Sequence, residues 1–343
     1  MNVIEKLDYK RWVCFEPKKL SIKNDDGLVL SDDDILIKVE YCGICHSDIH
    51  IIDGDWEKRG FVKYPLTPGH EVVGKVVKIG KNVDNVDIGD VVGLPWVHSS
   101  CCSCEYCFNS SEQFCEKRKV TGIDVIGGYS EYCVVNKNFA IAVNKVVDIS
   151  KWKLEEIAPL YCAGLTTYTA LKKLNIHPYQ KVAILGLGGL GHMAVQYSKL
   201  FGAYTIVFSS DKTKKDLAYQ LGADDFLTYD EIERMGKVDV VLSTLPNSQV
   251  ATKFISYLRP YGKISFVGAH IDDLNFKPIE LISKNLVLTG NAVGSRMDLL
   301  ETLKISISNN LKPIVQVFDF NELEKALDLV RNGKAKLRAV LKI

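Results

Sequence analysis

Short segments with the hydrophobic pattern of β-strands follow one another in the first part of the chain. Residues 35–41 alternate as a strand with one buried face should, and residues 71–79 are also strand-like, although Gly74 interrupts them. Residues 90–94 and 129–135 continue this series of strand-like segments, and glycine and asparagine residues separate the segments. Short strands with such turn residues between them predict a barrel-like β domain.

From about Lys151 onward, the pattern changes to apolar strands that alternate with helices. Residues 181–185 form a short apolar run, and residues 192–200 have helical spacing. Further apolar strands are predicted in three segments, 204–209, 238–243 and 263–268. This alternation predicts an α/β domain with a doubly wound parallel sheet.

A glycine-rich motif lies between the first strand and the first helix of this α/β region. It reads G-x-G-x-x-G and comprises Gly186, Gly188, Gly189, Leu190 and Gly191. Glycines here allow a tight turn and let the backbone approach a pyrophosphate at the helix N-terminus. The motif alone is a weak signal, but its position between a strand and a helix indicates a dinucleotide site.

The segment after the next strand bears on the choice of nicotinamide cofactor. Ser209, Ser210 and Lys214 offer hydroxyl groups and a positive charge, which suit the 2′-phosphate of NADP(H). Asp211 would instead suit NAD(H) if its carboxylate faced the adenosine ribose. The lysines could also be the solvated start of a helix. The segment therefore favours NADP(H) and leaves NAD(H) as the alternative.

Composition and charge exclude several classes of function. The chain has 343 residues, enough for about two domains, and 47% of them are hydrophobic. The net charge of +1 argues against nucleic acid or an anionic membrane as the main partner. Apolar runs are too short to cross a membrane, and the first residues lack the apolar core of a signal peptide. We therefore expect a cytoplasmic protein.

The ten cysteines are the strongest chemical signal in the sequence, because thiols in such a protein are more often kept for metal than for disulfides. One group has the spacing C-x2-C-x2-C-x7-C and comprises Cys101, Cys104, Cys107 and Cys115. Four thiolates on one loop predict a closed structural zinc site. An iron–sulfur cluster is the alternative, because spacing alone does not exclude it. The cysteines left over are predicted to be buried thiols: Cys14, Cys42, Cys102 and Cys133.

A second group of candidate ligands is spread over three segments. Cys45 lies in a stretch with two histidines, a serine and an aspartate, His70 lies in Pro-Gly-His-Glu, and Cys162 follows about 90 residues later. Two thiolates and one imidazole suit Zn²⁺ and leave one coordination position open for chemistry. A buried cysteine or histidine is more often an ordinary core residue. Spacing does not show that these three residues converge, so the site is a hypothesis.

Taken together, these motifs resemble the zinc-containing medium-chain alcohol dehydrogenase family. The matching motifs are Gly-Ile-Cys-His-Ser-Asp-Ile-His, Pro-Gly-His-Glu, the four-cysteine lobe ending in Glu-Gln-Phe-Cys, and Leu-Gly-Leu-Gly-Gly-Leu-Gly. They occur in the family's order over essentially the whole chain, and the chain is most similar to the NADP-preferring branch of cinnamyl alcohol dehydrogenases. The set of two cysteines and one histidine is the catalytic zinc set known from alcohol dehydrogenases.

The resemblance implies a fold and a domain organisation. We expect a GroES-like β-barrel catalytic domain of residues 1–160 and 295–343, with a structural-zinc lobe at 98–117. A Rossmann domain of residues 161–294 would be inserted in it, with the active site in the cleft between the domains. By the same analogy, the protein would be a homodimer that pairs through the Rossmann sheet edge near residues 273–287.

The resemblance also implies roles around the catalytic zinc. Glu71 would sit beside the metal and transiently replace its water, and Asp48 would orient His70. His46 and Arg338 match positions that approach the cofactor pyrophosphate. Four further residues match positions with a role in the family. Ser47 and His50 match a proton relay, and Trp56 and Trp96 match a substrate pocket.

In the relay, Ser47 would pass the alcohol proton through the nicotinamide ribose to His50, because an imidazole exchanges protons with solvent near neutral pH. Ser47 could instead be a helix cap and His50 a surface residue. Trp56 and Trp96 would line the pocket and favour aromatic or medium aliphatic aldehydes, although core packing explains two indoles equally well.

The function implied is reversible hydride transfer between NADP(H) and a primary alcohol or aldehyde, with two zinc ions per chain. The chain is expected to work mainly as an aldehyde reductase. An NAD-dependent alcohol dehydrogenase of the same family is one alternative. A nonenzymatic protein that binds NADPH or zinc is another, because a fold alone does not guarantee an activity.

Overall fold

The computed structural model describes residues 3–269 and 273–343, and the chain divides into two compact units. The first unit comprises Met1–Cys162 and Gly294–Ile343, and the second comprises Ala163–Val293. The first boundary falls two residues after the end of the domain expected from sequence. Cys162 therefore belongs to the first unit.

The strands, numbered along the chain, are β1 (Val3–Glu16), β2 (Lys19–Leu30), β3 (Asp34–Gly43), β4 (Glu71–Ile79), β5 (Val91–Leu94), β6 (Val97–Ser99), β7 (Lys119–Val120), β8 (Tyr132–Asn136), β9 (Lys181–Leu185), β10 (Tyr204–Phe208), β11 (Asp225–Leu227), β12 (Val238–Ser243), β13 (Leu258–Phe266), β14 (Val287–Gly290), β15 (Val315–Asp319) and β16 (Arg338–Lys342).

The α-helices are α1 (His46–Asp53), α2 (Glu105–Phe108), α3 (Val143–Val146), α4 (Leu154–Ile157), α5 (Ala163–Lys173), α6 (Gly191–Leu200), α7 (Lys215–Gln220), α8 (Ser248–Thr252), α9 (Pro278–Ile282), α10 (Arg296–Ser308) and α11 (Leu323–Arg331). Short 3-10 helices cover Glu57–Arg59, Glu112–Phe114, Ala158–Tyr161, Lys212–Lys214, Tyr229–Met235, Lys253–Tyr257 and Phe320–Glu322. No helix among residues 3–269 and 273–343 is both long and apolar enough to cross a lipid bilayer.

A six-stranded sheet forms the core of the first unit, in the order β15-β16-β3-β4-β5 with β8 also paired to β3. Apolar residues of β3 and β4 such as Ile35, Ile37 and Val72 are fully buried in it. Burying each such side chain contributes about 1.5–3 kcal/mol. Leu341, from the other end of the chain, packs into the same core.

The second unit contains a six-stranded parallel sheet in the order β11-β10-β9-β12-β13-β14. The order reverses at β9, the strand that precedes the glycine motif, which is the arrangement of a doubly wound dinucleotide-binding fold. Val182, Ala183, Ile184 and Leu185 of β9 are fully buried, as a central parallel strand requires. The predicted fold class, a GroES-like β domain with a Rossmann domain, is confirmed.

Two parts of the first unit differ from the sequence-based expectation. The long β1–β2 hairpin was not predicted, because most of β2 is exposed and its residues lack a clear alternation. The strand expected at 129–135 begins only at Tyr132. The preceding backbone pairs instead with the loop before His70, through Gly128 N to Gly69 O at 2.8 Å and Tyr129 N to Pro68 O at 3.1 Å.

Candidate active site and metal centres

The start of α1 places Cys45 at a fixed position. Cys45 is the N-cap residue of this helix, and its backbone N–H donates to Asp48 Oδ2 at 2.9 Å. An acidic side chain three residues into a helix commonly caps it in this way. The cap leaves the Cys45 side chain, 7% exposed, free to face the interior.

Asp48 also contacts His70, the residue that it was predicted to orient. His70 Nδ1 donates to Asp48 Oδ1 at 3.0 Å, because a carboxylate can only accept. Both side chains are completely buried. The other ring nitrogen, Nε2, is buried without a hydrogen-bond partner in the structure. Fixing Nδ1–H in this way leaves Nε2 as the atom that can bind a metal.

Cys162 completes a group of possible ligands in the first unit. Its Sγ lies 3.9 Å from Cys45 Sγ, and one atom each of Cys45, His70, Glu71 and Cys162 lies within 4.8 Å of the others. Zn–S bonds of about 2.3 Å at a tetrahedral angle place two sulfurs about 3.8 Å apart. The donor set, its spacing and the unpartnered Nε2 atom all fit a zinc ion.

The electrostatics of the group favour anionic sulfur. The hydrogen bond from Cys162 lowers the pKa of Cys45 well below its usual range, helped by Arg338 and His70 and opposed by burial. Burial by itself would lower the pKa of His70, but Asp48 and Cys45 outweigh burial and raise it to about 10. A divalent metal would displace the proton of His70, so that the imidazole nitrogen and the thiolate would both serve as ligands.

Arg338 lies against this group rather than at the surface. Its Nε donates to Glu71 Oε2 at 3.0 Å, and its Nη2 contacts Glu71 Oε1. Arg338 is 5% exposed and Glu71 is fully buried. Arg338, which was predicted to approach the cofactor pyrophosphate, therefore lies buried beside the ligand group, whereas His46, the other residue predicted there, is exposed.

Ser47 and His50 both lie on α1. Ser47 Oγ is 3.7 Å from Cys45 Sγ, so this hydroxyl lies next to the ligand group. His50 Nδ1 lies 2.7 Å from Asp55 Oδ2, and its ring stacks on Trp56 at 5.5 Å. Asp55 was not predicted, although an acid five residues after a candidate relay histidine could have signalled it.

Trp56 and Trp96 lie together beside the ligand group. Their rings meet edge to face at 6.0 Å, and Trp96 packs edge to face on His70 at 4.9 Å. Both indoles line a cavity of about 360 Å³, whose wall also includes apolar and charged side chains: Phe61, Val120, Ile123, Arg59, Glu116, Arg118 and Asp124. The predicted pocket residues are therefore brought together at one cavity, and Trp96 also contacts the candidate ligand His70.

The four lobe cysteines converge in a second candidate metal centre. Cys101 Sγ lies 3.8 Å from Cys107 Sγ and 3.6 Å from Cys115 Sγ, and Cys104 Sγ lies 3.5 Å from Cys107 Sγ. These separations fit one tetrahedral ion, whereas an iron–sulfur cluster gives each iron its own cysteine and spreads the sulfurs apart. Cys102 has φ 53° and stands outside the set.

The lobe is also tied to α10. Glu112, almost fully buried, accepts from Arg296 Nε at 2.8 Å and lies at the first turn of that helix, where an anion is favoured. The Arg296 guanidinium also donates to Asn138 O at 3.0 Å. This pair was not predicted, because its members lie 184 positions apart.

The glycine motif of the second unit forms the expected tight turn after β9. Gly186 has φ 94°, and a Cβ on Gly191 would lie 1.9 Å from Gly186 O, so both positions require glycine. Gly188 has open space around it. Gly189 and Leu190 lead into α6 at its N-terminus, where backbone N–H groups suit a phosphate.

The segment that bears on the choice between NADP(H) and NAD(H), residues 209–214, follows β10. Asp211 caps the following 3-10 helix, because its Oδ1 accepts from Thr213 N at 3.0 Å and from Thr213 Oγ1 at 2.6 Å. Ser210 is exposed and Ser209 is 5% exposed. Lys214 Nζ donates to Leu187 O in the glycine motif at 3.2 Å, which places its charge beside that motif.

Comparison with known proteins identifies the family. Residues 31–145 match the family described as "Alcohol dehydrogenase GroES-like domain", and residues 189–308 match "Zinc-binding dehydrogenase". The alcohol dehydrogenase of Geobacillus stearothermophilus is 34% identical over 333 residues, or 95% of this chain and 96% of that protein. Cinnamyl alcohol dehydrogenase 2 of Rauvolfia serpentina is 34% identical and aligns with 97% of this chain and 94% of its own length.

Solved structures agree with these sequence matches. The crystal structure of CAD from Helicobacter pylori complexed with NADP(H) has a TM-score of 0.90 at 31% identity, and the match covers 98% of this chain and 99% of that one. The chain belongs to the zinc-containing medium-chain alcohol dehydrogenases. Within them it falls in the branch similar to cinnamyl alcohol dehydrogenases, and it is an oxidoreductase that acts on a small alcohol or aldehyde with a nicotinamide cofactor.

Proposed function

We propose that the chain is a zinc-dependent alcohol dehydrogenase that transfers hydride reversibly between NADP(H) and a primary alcohol or aldehyde, mainly as an aldehyde reductase. The observation that carries this proposal is the buried trio of Cys45, His70 and Cys162, with His70 Nε2 unpartnered. Three such ligands leave a fourth position for substrate. Zinc there supplies Lewis-acid polarisation of the substrate oxygen, and the nicotinamide supplies or accepts the hydride.

The proton that the reaction releases or consumes is handled by residues of α1. Ser47 lies next to the ligand group, and His50 is held through Nδ1 by Asp55. Because Nδ1 is engaged, Nε2 of His50 is the nitrogen that exchanges the proton along the relay. Asp55 is partly exposed, so the path has a polar end that reaches solvent. Glu71, with Arg338 as its counter-ion, is the alternative fourth ligand.

The arrangement around Asp211 supports NADP(H) over NAD(H). An acid that selects NAD(H) must offer its carboxylate to the ribose hydroxyls. The Oδ1 atom of Asp211 instead accepts from both the backbone N–H and the hydroxyl of Thr213, as a helix cap. The neighbouring Ser210 hydroxyl is exposed, and Lys214 adds a positive charge close to the glycine motif. These groups suit a 2′-phosphate.

The substrate class follows from the indoles beside His70. Trp56 and Trp96 give the cavity two indole rings at right angles to each other, and its volume of about 360 Å³ accommodates a substrate of the size of a cinnamyl aldehyde or a medium aliphatic one. A very small aldehyde would leave these two indoles in contact with water.

Two further features support the remaining expectations. The cysteine lobe has the donor set for a second zinc ion, and its closed geometry suits a structural role. The strand β14 lies at the edge of the parallel sheet, and Ile279, Ile282 and Val287 near it are 61%, 69% and 47% exposed. A sheet edge flanked by exposed apolar residues suits pairing with a second copy of the chain.

The test is the initial rate of reduced-cofactor oxidation with cinnamaldehyde, measured with NADPH and with NADH, before and after zinc chelation. We expect a chelator-sensitive rate that is higher with NADPH. The variant Cys45→Ser should lose turnover and one zinc per chain while it keeps its circular dichroism spectrum. A preference for NADH would favour the NAD-dependent alternative. Cofactor binding without turnover across a panel of aldehydes would favour the nonenzymatic one.

A further inference from the structure

The carboxylate of Asp48, next to the ligand cluster, accepts four hydrogen bonds. Besides Cys45 N and His70 Nδ1, it accepts from Gly69 N at 3.1 Å and from the hydroxyl of Tyr129 at 3.1 Å. Asp48 and Tyr129 are both completely buried. The carboxylate therefore loses its hydration and depends on these four donors.

These donors divide equally between the two oxygens of Asp48, two to each. Oδ1 accepts from Gly69 N and His70 Nδ1, and Oδ2 accepts from Cys45 N and Tyr129 Oη. Three of the four donors come from the ligand segments themselves. Tyr129 is the exception, and its hydroxyl donates to the oxygen that His70 does not contact.

The position of the Tyr129 ring is closely defined by its neighbours. Its backbone N–H donates to Pro68 O at 3.1 Å, and its carbonyl accepts from Trp12 N at 2.8 Å. A Cβ on Gly69 would lie 2.9 Å from Tyr129 Cδ1, so the ring packs directly on the loop that carries His70. Burial and the nearby Asp48 carboxylate raise the pKa of Tyr129 well above its usual range, so the hydroxyl remains a donor.

We propose that Tyr129 is a positioning residue of the metal centre, whose hydroxyl keeps the Asp48 carboxylate fixed so that His70 presents Nε2 to the metal. The inference rests on the proposed zinc site and goes beyond it, because it assigns a role to a residue far from the ligands in sequence. Groups that orient a metal-bound histidine typically change metal affinity about 10- to 100-fold when they are altered.

The role of Tyr129 can be tested by the rate of zinc release, which does not depend on catalytic activity. In the zinc-loaded protein, Tyr129→Phe should release one of its two zinc ions to a colorimetric chelator roughly 10-fold faster than the unmodified chain. The other ion, in the cysteine lobe, should be released at an unchanged rate. Tyr161→Phe is the matched control, because Tyr161 is equally buried in the same unit and its hydroxyl is not one of the four donors to Asp48. It should release zinc at the unmodified rate.

A double-variant comparison separates a role through Asp48 from a general loss of packing. In an Asp48→Asn background, Tyr129→Phe should add little further acceleration, because the carboxylate it supports is gone. Replacement of Tyr129 by 3-fluorotyrosine strengthens the hydroxyl donor and should slow release. This second variant keeps the test available if Tyr129→Phe does not fold.

The proposal is overturned if Tyr129→Phe releases zinc at the unmodified rate, if Tyr161→Phe accelerates release equally, or if the effect persists in the Asp48→Asn background. A failure of the proposed function looks different. In that case Cys45→Ser would hold as much zinc as the unmodified chain, so there would be no catalytic ion for Tyr129 to position.

Discussion

The Arg338 guanidinium and the Glu71 carboxylate form an ion pair that is buried away from solvent. Nε of Arg338 lies 3.0 Å from Oε2 of Glu71, and the two side chains are 6% and 0% exposed. Glu71 directly follows the candidate ligand His70 in sequence. The pair therefore fixes the charge balance immediately beside the ligand group.

Removing one member of this pair should destabilise the first unit strongly. Glu71→Ala leaves the Arg338 guanidinium buried without a counter-ion, and we expect a loss of about 3–5 kcal/mol in the free energy of unfolding. Denaturant unfolding of the purified variant measures it. The double variant Glu71→Ala with Arg338→Met removes the uncompensated charge and should recover part of the loss. If the double variant is as unstable as the sum of both single variants, the two residues are not coupled as the structure indicates.

Substitution of the relay residues should change how the rate of alcohol oxidation depends on pH. His50→Ala removes the group that passes the proton outward, so the rate should fall on the order of 100-fold near pH 6. The deficit should shrink as pH rises, because hydroxide and buffer base then take the proton. Asp55→Asn, which keeps the shape but not the charge, should give a smaller change in the same direction. His177→Ala, a remote exposed histidine, is the control, and an unchanged profile for His50→Ala would exclude the relay.

Substitutions in the cysteine lobe should lower the stability of the protein without a direct effect on the chemical reaction. Cys104→Ser removes one of four converging sulfurs, so the variant should lose one zinc per chain and unfold at a lower temperature. Cys102→Ser is the matched control, because Cys102 lies in the same loop but outside the four-sulfur set. It should keep both ions. Metal analysis alongside thermal unfolding checks both variants, and zinc loss from Cys102→Ser would mean that the ligand set is wrongly assigned.

Acid should destabilise the second unit through His192. This residue is fully buried in α6, its Nδ1 lies 3.0 Å from Gly188 O, and burial lowers its pKa from 6.5 to about 4. Below pH 6.5 the unfolded chain binds a proton that the folded chain excludes, so stability falls as pH falls towards 4. Between pH 7 and pH 5 this amounts to about 2 kcal/mol.

The comparison of His192→Gln with the unmodified chain isolates this contribution. Both proteins lose stability in acid for other reasons, including protonation of metal ligands, and these shared losses cancel. Urea unfolding at pH 7 and pH 5 should therefore show a smaller pH dependence for His192→Gln, by about 2 kcal/mol. Equal pH dependence in the two proteins would show that His192 does not stay neutral when folded.

The sequence predicted those parts of the site that lie within short motifs. Cys45 and His70 were recognised from their immediate neighbours, and the glycine turn of the second unit follows from local backbone requirements. Tyr129 and Asp48 lie 81 positions apart, and Arg338 and Glu71 lie 267 apart. Such partners are chosen by the tertiary fold, so no local pattern shows them. Asp211 is an intermediate case, because its cap on Thr213 is local but competes with a ribose contact that sequence also allows.

The placement of β16 has a consequence for how the protein is made. This strand pairs with residues Tyr41–Gly43 of β3 and supplies Arg338 to Glu71, yet it is translated after the entire second unit. During synthesis, the first unit therefore lacks β16 until the end of translation. Until then, residues 41–43 of β3 have no strand partner on that side, and Glu71 has no counter-ion. The second unit, whose residues are contiguous, can fold during that delay. A premature stop codon shortly before position 338 would spare every candidate metal ligand and still leave the first unit unfinished.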